Sequence, residues 1–234
     1  MCIRDSPGIG SSQQVDLGQR RSEECPVGRF IVGKQGLDMK GHPTALVESD
    51  MIGEGTRVWA YAHVMAGARL GSNVQVGDHS FIEGGAVVGD NVTIKNQVCI
   101  WDGVVIADGV FVGPRATFTN DLHPRSPRMP SAEERYSHRE NWLATTHVGH
   151  GCSIGASATI RAGVSLGPFS MVGAAALVTK DVPPFALVVG VPAKQVADVC
   201  QCGQKLSDKY TISCLLYTSP SPRDATLSRM PSSA

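Results

Sequence analysis

The stretch that decides the fold is GSNVQVGDHSFIEGGAVVGDNVTIKNQVCIWDGVVIADGVFVGPRATF, residues 71–118. An aliphatic side chain returns at every sixth position, at Val76, Ile82, Val88, Ile94, Ile100, Ile106 and Val112, and Phe118 closes the run. The series extends backwards through Leu70, Val64, Val58 and Ile52 to Leu46. A second register runs beside it: Thr56, Ala62, Ala68, Val74, Ser80, Ala86, Val92, Val98, Val104, Val110 and Ala116, all small or β-branched. A period of six is neither that of a helix nor the simple alternation of a half-buried strand. It fits a short strand plus a tight turn, repeated. Three such units closing into a triangle make a coil of about eighteen residues, in which inward aliphatics stack above their equivalents and each coil touches only its neighbours. The turns at 71–73 (GSN), 77–79 (GDH) and 89–91 (GDN) hold residue types that accept positive φ at small cost.

Outward from this stretch, both registers resume. Val148, Ile154, Ile160, Leu166, Val172 and Val178 continue the first, and Cys152, Ala158, Val164, Ser170, Ala176 and Val182 the second. The gap from Phe118 to Val148 is a multiple of six, so the chain leaves the stack and returns to it in register. The departing segment, 119–141, reads TNDLHPRSPRMPSAEERYSHREN. A long polar loop that interrupts a regular solenoid is a place for function. The expected architecture is all-β: a parallel β-helix of about six coils forming one domain over 39–199. It carries one excursion at 119–141 and a short C-terminal helix around Ala193–Val199.

Lys plus Arg is 21 and Asp plus Glu is 21. That balance argues against a nucleic-acid binder and against a polybasic membrane anchor. No apolar run approaches the roughly 18 residues of a membrane span, and none near the N-terminus reads as a signal peptide. Cys25, Cys99 and Cys152 are isolated, which is no secreted disulfide framework, so a cytoplasmic location is expected. The ends are read separately. MCIRDS at 1–6 and CLLYTS at 214–219 back-translate to near reverse complements, and 214–234 resembles a translated sequencing adapter. Residues 1–38 are polar and aperiodic, a disordered or non-native leader, with Met39 where the patterned sequence begins. Cys200-Gln-Cys202-Gly, opening the segment 200–213, resembles one knuckle of a zinc ribbon whose second Cys pair does not follow.

The double register over about 42–195 resembles the hexapeptide-repeat acyltransferases, and the left hand of the β-helix is implied by that resemblance. FTNDLHPRS at 118–126 narrows it, together with VWAYAHVMAGARLG, NVTIKNQVCIWDGV and FVGPRATFTND. These resemble the nucleotide-sugar N-acetyltransferases that acetylate a 3-amino sugar, including enzymes acting on UDP-2-acetamido-3-amino-2,3-dideoxyglucuronate and on dTDP-3-amino-dideoxy-hexoses. MVGAAALVTKDVPPFALVVGVPAKQV at 171–196 resembles the family's acyl-CoA end, with Ala175 standing where members often have Gly. The resemblance implies acetyl-CoA as co-substrate with no metal required, a nucleotide-sugar acceptor in bacterial surface-polysaccharide synthesis, and a homotrimer with active sites between prisms.

The implied catalytic residue is Asn120, set beside the attacking amine. An amine must be neutral to attack a thioester. A simple α-amino group already titrates near about 8, so a usable fraction is neutral and orientation counts for more than a strong base. His123 is the rival, as a general base. Asp102 is a candidate for touching amine or sugar, while Arg125, and after it Arg139, suits a diphosphate or carboxylate through its forked guanidinium. Gly173, Ala174, Lys180, Pro192 and Lys194 are the candidate coenzyme A contacts. Two other readings stand beside this one. His63, His79, His147 and His150 leave open a γ-carbonic-anhydrase-like zinc enzyme on the same prism, since zinc needs three or four converging ligands. A catalytically inert scaffold is the third.

Overall fold

The computed structural model describes residues 40–206. The readings made above on the ends, 1–38 and 214–234, lie outside the described residues. Within them the chain winds as a triangular, left-handed prism of short parallel strands. The first face has nine strands, the second seven and the third five. Arg57–Val58, His63–Val64 and Arg69–Leu70 are one complete turn of the prism, one strand on each face. Strand pairs repeat at the expected coil spacing, as in Val58 with Val76 and Ile82 with Ile100. The second face has one strand per coil, so the stack has seven coils, one more than expected, the first starting at Lys40.

The two registers have distinct jobs. First-register residues such as Val64, Ile82, Ile94 and Ile100 point inward and are fully buried. Burying each contributes about 1.5–3 kcal/mol, and the same gain repeats up the stack. Second-register residues sit at the corners, where hydroxyls are tolerated because they are paired. Thr56 Oγ1 donates to the Gly71 carbonyl at 2.7 Å and accepts the Val74 N–H at 3.1 Å; Ser80 does the same with Lys95 and Val98. Buried Cys152 takes an equivalent place, its Sγ 2.9 Å from the Gly167 carbonyl, and burial pushes its thiol pKa up.

The turns divide their labour in a way composition alone did not separate. Asn73, His79 and Asn91 take the left-handed conformation, each at φ 57°. The glycines before them serve close approach instead: a Cβ on Gly71 would lie 2.6 Å from the Gly89 carbonyl carbon, and one on Gly77 2.7 Å from that of Lys95.

Two details differ from expectation at the C-terminal end. Val182 bridges Leu166 and takes an inward, first-register place, because only Thr179, Lys180 and Asp181 separate it from inward Val178, which shortens that coil to sixteen residues. Lys194–Asp198 is a strand, not a helix. It pairs antiparallel with Ala186–Val189, Lys194 against Val189 and Asp198 against Ala186. The physical reason is the open edge of the last strand, whose backbone groups need partners. A hairpin through Gly190 (φ 95°) supplies them, whereas a helix of so few residues is marginal by itself. Just beyond, Cys200 and Cys202 lie side by side, their Cα atoms 5.3 Å apart.

Candidate active site

The excursion leaves the stack after Phe118, whose fully buried ring fills the last inward position before the departure. It rejoins at Thr146, four residues later than the polar segment suggested, and Val148 resumes the register against Ile106. Inside lie one turn of α-helix, Glu133–Tyr136, and a 3₁₀ turn, Arg139–Asn141. Both roots of the excursion open from the corner between the second and third faces. Asn120 and Asp102 meet there, equivalent positions one coil apart.

Asn120 is half-buried and doubly held. Its Nδ2 donates to the Asp102 carbonyl at 3.2 Å, and its own backbone carbonyl accepts the Ala144 N–H at 2.8 Å. The side-chain Oδ1 remains as an acceptor. Asp102 is fixed from three directions. Its N–H donates to Glu83 Oε2 at 2.9 Å, its carbonyl takes Asn120, and its carboxylate takes Arg139. That last contact is forked: Arg139 Nε donates to Oδ2 at 2.6 Å and Nη2 to Oδ1. The exposed guanidinium of Arg139 therefore lies on Asp102, and its own pKa is raised by that carboxylate. Leu143 packs over Gly103, where a Cβ would come within 3.0 Å of it.

A second cluster holds the excursion's shape. Asp121 Oδ2 accepts the Tyr136 O–H at 2.6 Å, and Oδ1 accepts the His123 N–H at 2.8 Å and an Arg135 guanidinium N–H. Arg135 also donates to the His123 carbonyl, and Tyr136 Oη accepts the Arg125 N–H at 2.9 Å. Burial by itself raises the Asp121 carboxyl pKa, but Tyr136, His123 and Arg135 outweigh it and hold it below the ordinary carboxylate range. The Tyr136 ring lies 5.8 Å from that of Trp142, and Ala132 is buried.

The other candidates fall as follows. His123 is exposed; its backbone is clamped while its imidazole makes no hydrogen bond among the described residues. Arg125 is exposed, its Nη1 on the Pro124 carbonyl at 3.2 Å. Gly173, Ala174, Pro192 and Lys194 come together on the edge between the first and second faces, where Lys194 pairs with Val189 and a Cβ on Gly173 would meet Val189 Cγ1 at 2.7 Å. Lys180 stands apart from them, exposed on the Asn120 corner two coils up. The four histidines of the zinc reading point to different faces and corners, and no group of three or more His, Cys, Asp or Glu among the described residues is placed to hold a metal. A cleft of about 350 Å³, with Trp59, Asp78 and Lys95 in its wall, lies on the first-to-second edge, and Asn120 does not line it. Glu83, Asp121, Arg135, Tyr136 and Trp142 were not anticipated. The available signal was Tyr136 and Trp142, two aromatics in a polar loop of a chain only 6% aromatic.

Comparison with known proteins fits this picture. The bacterial transferase hexapeptide (six repeats) family matches residues 51–84. The dTDP-3-amino-3,6-dideoxy-alpha-D-galactopyranose 3-N-acetyltransferase of Aneurinibacillus thermoaerophilus is 48% identical over 165 residues, 70% of this chain and 81% of that enzyme. The chain belongs to the hexapeptide-repeat acetyltransferases, as a relative of the nucleotide-sugar N-acetyltransferases. This acetyltransferase is also 30% identical to the galactoside O-acetyltransferase of Escherichia coli (strain K12) over 90 residues, 38% of this chain and 41% of that one. Among solved structures, PerB from Caulobacter crescentus in complex with CoA and GDP-perosamine overlaps with a TM-score of 0.43 at 23% identity, covering 69% of this chain and 58% of that one. No helix among the described residues is long and apolar enough to cross a membrane.

Proposed function

We propose that this acetyltransferase moves an acetyl group from acetyl-CoA to the 3-amino group of a nucleotide-linked amino sugar, in the cytoplasm, for bacterial surface-polysaccharide synthesis. The observation that carries the reading is the Asn120–Asp102 corner under the excursion, in a chain 48% identical to an enzyme named for that reaction on a dTDP-3-amino sugar.

Asn120 orients the acceptor. Because Nδ2 is committed to the Asp102 carbonyl, Oδ1 is free to accept an amine N–H, which aims the nitrogen lone pair. Acetyl-CoA, when bound, supplies the acetyl group as an activated thioester. As the N–C bond forms the C–S bond breaks, and the proton lost by nitrogen leaves with the thiol. The exposed edge at Ala174, Pro192 and Lys194 suits the coenzyme, with apolar Val191 and Pro192 beside a cation for a phosphate. Lys180, on the Asn120 corner, is a second cation along the way. Arg125 is the candidate for the nucleotide diphosphate. Because the Asn120 corner and the Ala174 edge are different edges of one prism, a homotrimer supplies one from each of two neighbours.

The test is a panel of UDP- and dTDP-linked 3-amino sugars with acetyl-CoA, following thiol release. Thiol release with an amino sugar supports the proposal; none with any member sinks it. Within the active pair, Asn120→Ala is expected to lower kcat/KM by roughly 10²–10³, with His123→Ala mild. A His123→Ala defect that is larger and recovers at high pH would assign the proton transfer to His123.

A further inference from the structure

We infer that Arg139 is a positioning residue that works through Asp102. It cancels the Asp102 charge, so that an acceptor amine seated against Asn120 keeps its neutral, nucleophilic form. The inference rests on the amine-acetylation reading and adds a charge requirement to it.

The geometry makes Asp102 hard to move and hard to hide. Its N–H is held by Glu83, its carbonyl by Asn120 and its carboxylate by both arms of Arg139. Its side chain also overlies Gly85, where a Cβ would meet Asp102 Oδ1 at 2.2 Å, so any side chain there would push it aside. The carboxylate thus belongs to the residue whose backbone carbonyl holds the Asn120 amide, the group proposed to aim the amine. A bare carboxylate at such a place works against the reaction. An opposite charge within about 4–6 Å favours the charged form of an ionisable group, by about 1–3 pKa units, and here the charged form is the ammonium, which has no lone pair to offer.

The surrounding charges do not remove the problem unless Arg139 is in place. Glu83 adds a second carboxylate from the coil below. Glu140 adds a third beside Arg139 on the excursion. Asp121 and Arg135 compensate each other within their own cluster. From the coils above, Arg161 has a guanidinium N–H on the Thr179 carbonyl at 3.3 Å and Lys180 is exposed, while His123 lies on an exposed bend of the excursion. Arg139 is the cation in contact with Asp102, and the excursion delivers it through the 3₁₀ turn Arg139–Asn141, which is tied back through Leu143 N–H to the Arg139 carbonyl at 3.0 Å. This explains why an arginine on a solvent-facing turn is spent on an internal carboxylate and not on a substrate phosphate.

The test uses the full chain, acetyl-CoA and dTDP-3-amino-3,6-dideoxygalactose, with kcat and KM measured across pH. In kcat the acid limb reports the bound amine, whereas in kcat/KM it reports the free one. Arg139→Met is expected to move the kcat limb to higher pH by up to about one unit, given water screening at this open corner. KM at low pH falls by a matching factor, because the ammonium binds well but unproductively, and the kcat/KM limb stays in place. Arg139→Lys keeps the charge and leaves the kcat limb where it is. Asp102→Asn added to Arg139→Met returns the limb to its original position. An unmoved limb in Arg139→Met, a shift as large in Arg139→Lys, or a shift that survives Asp102→Asn would each overturn the inference; a purely structural Arg139 would depress kcat at all pH values alike. If the parent chain acetylates no amino sugar, the functional reading fails and the charge argument is not reached. Thermal melts of each variant check that the prism is intact.

Discussion

The prism and the excursion are stabilised by opposite strategies. In the prism one solution is repeated: an inward aliphatic, a small corner residue and a glycine or asparagine turn, with strand pairing to the coil above and below. No single contact is special, and the gain grows with the number of coils. In the excursion nothing repeats. One carboxylate, Asp121, gathers a phenol, a guanidinium and a backbone N–H, and a second, Asp102, ties the far side down through Arg139. Its apolar contacts are few, namely buried Ala132, the Tyr136–Trp142 pair and Leu143 over Gly103. The prism is thus a rigid rail, and the excursion is a small polar lock mounted on it. Damage to one should leave a different signature from damage to the other.

The largest expected effect is in the rail. Phe118 is fully buried at the point where the chain leaves the stack. Phe118→Ala removes its ring from a close-packed core and is expected to cost about 3–5 kcal/mol of global stability. A chemical-denaturation curve followed by far-UV circular dichroism checks this. A change below 1 kcal/mol would mean that the position is not a packed part of the rail. An intermediate effect is expected in the lock. Asp121→Ala leaves Arg135 and Tyr136 without their acceptor. The pair is partly solvated, so the cost is about 1–3 kcal/mol, confined to the excursion. Activity should fall while the global melt stays close to that of the parent, and limited proteolysis should cut within 122–142. A melt lowered as much as by Phe118→Ala would show that the two regions unfold together.

The same contrast explains what could be read in advance. The period of six is a statement about burial. Each inward position obeys it independently, so eleven successive agreements could be counted without coordinates. The Asn120–Asp102 contact was half legible, because both residues stand in strings that resemble a known family, though their pairing follows only from coil stacking. The Asp121–Arg135–Tyr136 cluster was not legible, since those residues carry no period and their partners are set by how a non-repeating loop folds. Arg139 shows the limit most clearly. A forked cation in a polar loop suggested a substrate anion, and the structure supplies an internal one. The C-terminal strand was missed for a related reason. KQVAD carries no strand pattern of its own, and what makes it a strand is the unpaired edge of Ala186–Val189.

The smallest effect, and the most selective, is the acid response of the lock. The Asp121 carboxyl is held below its ordinary range by Tyr136, His123 and Arg135, which together outweigh its burial. For a carboxyl whose folded-state pKa is depressed, the stabilisation is fully present above the unfolded value, near about 4. It is lost as pH falls through the depressed value. The excursion should therefore stay closed at neutral and mildly acidic pH and loosen only below that range, before the aliphatic rail responds. Trp142, against Tyr136, is the reporter. In a chain with Trp59 and Trp101 changed to Phe, its fluorescence should shift in one step below about pH 4, while far-UV circular dichroism is unchanged. Glu133, Glu134 and Glu140 share the excursion, so the decisive comparison is Asp121→Asn, which cannot take up that proton. Its Trp142 signal should begin nearer the open state and lose the step. A step of equal size in Asp121→Asn would assign the response to the glutamates and leave the lock without its acid trigger.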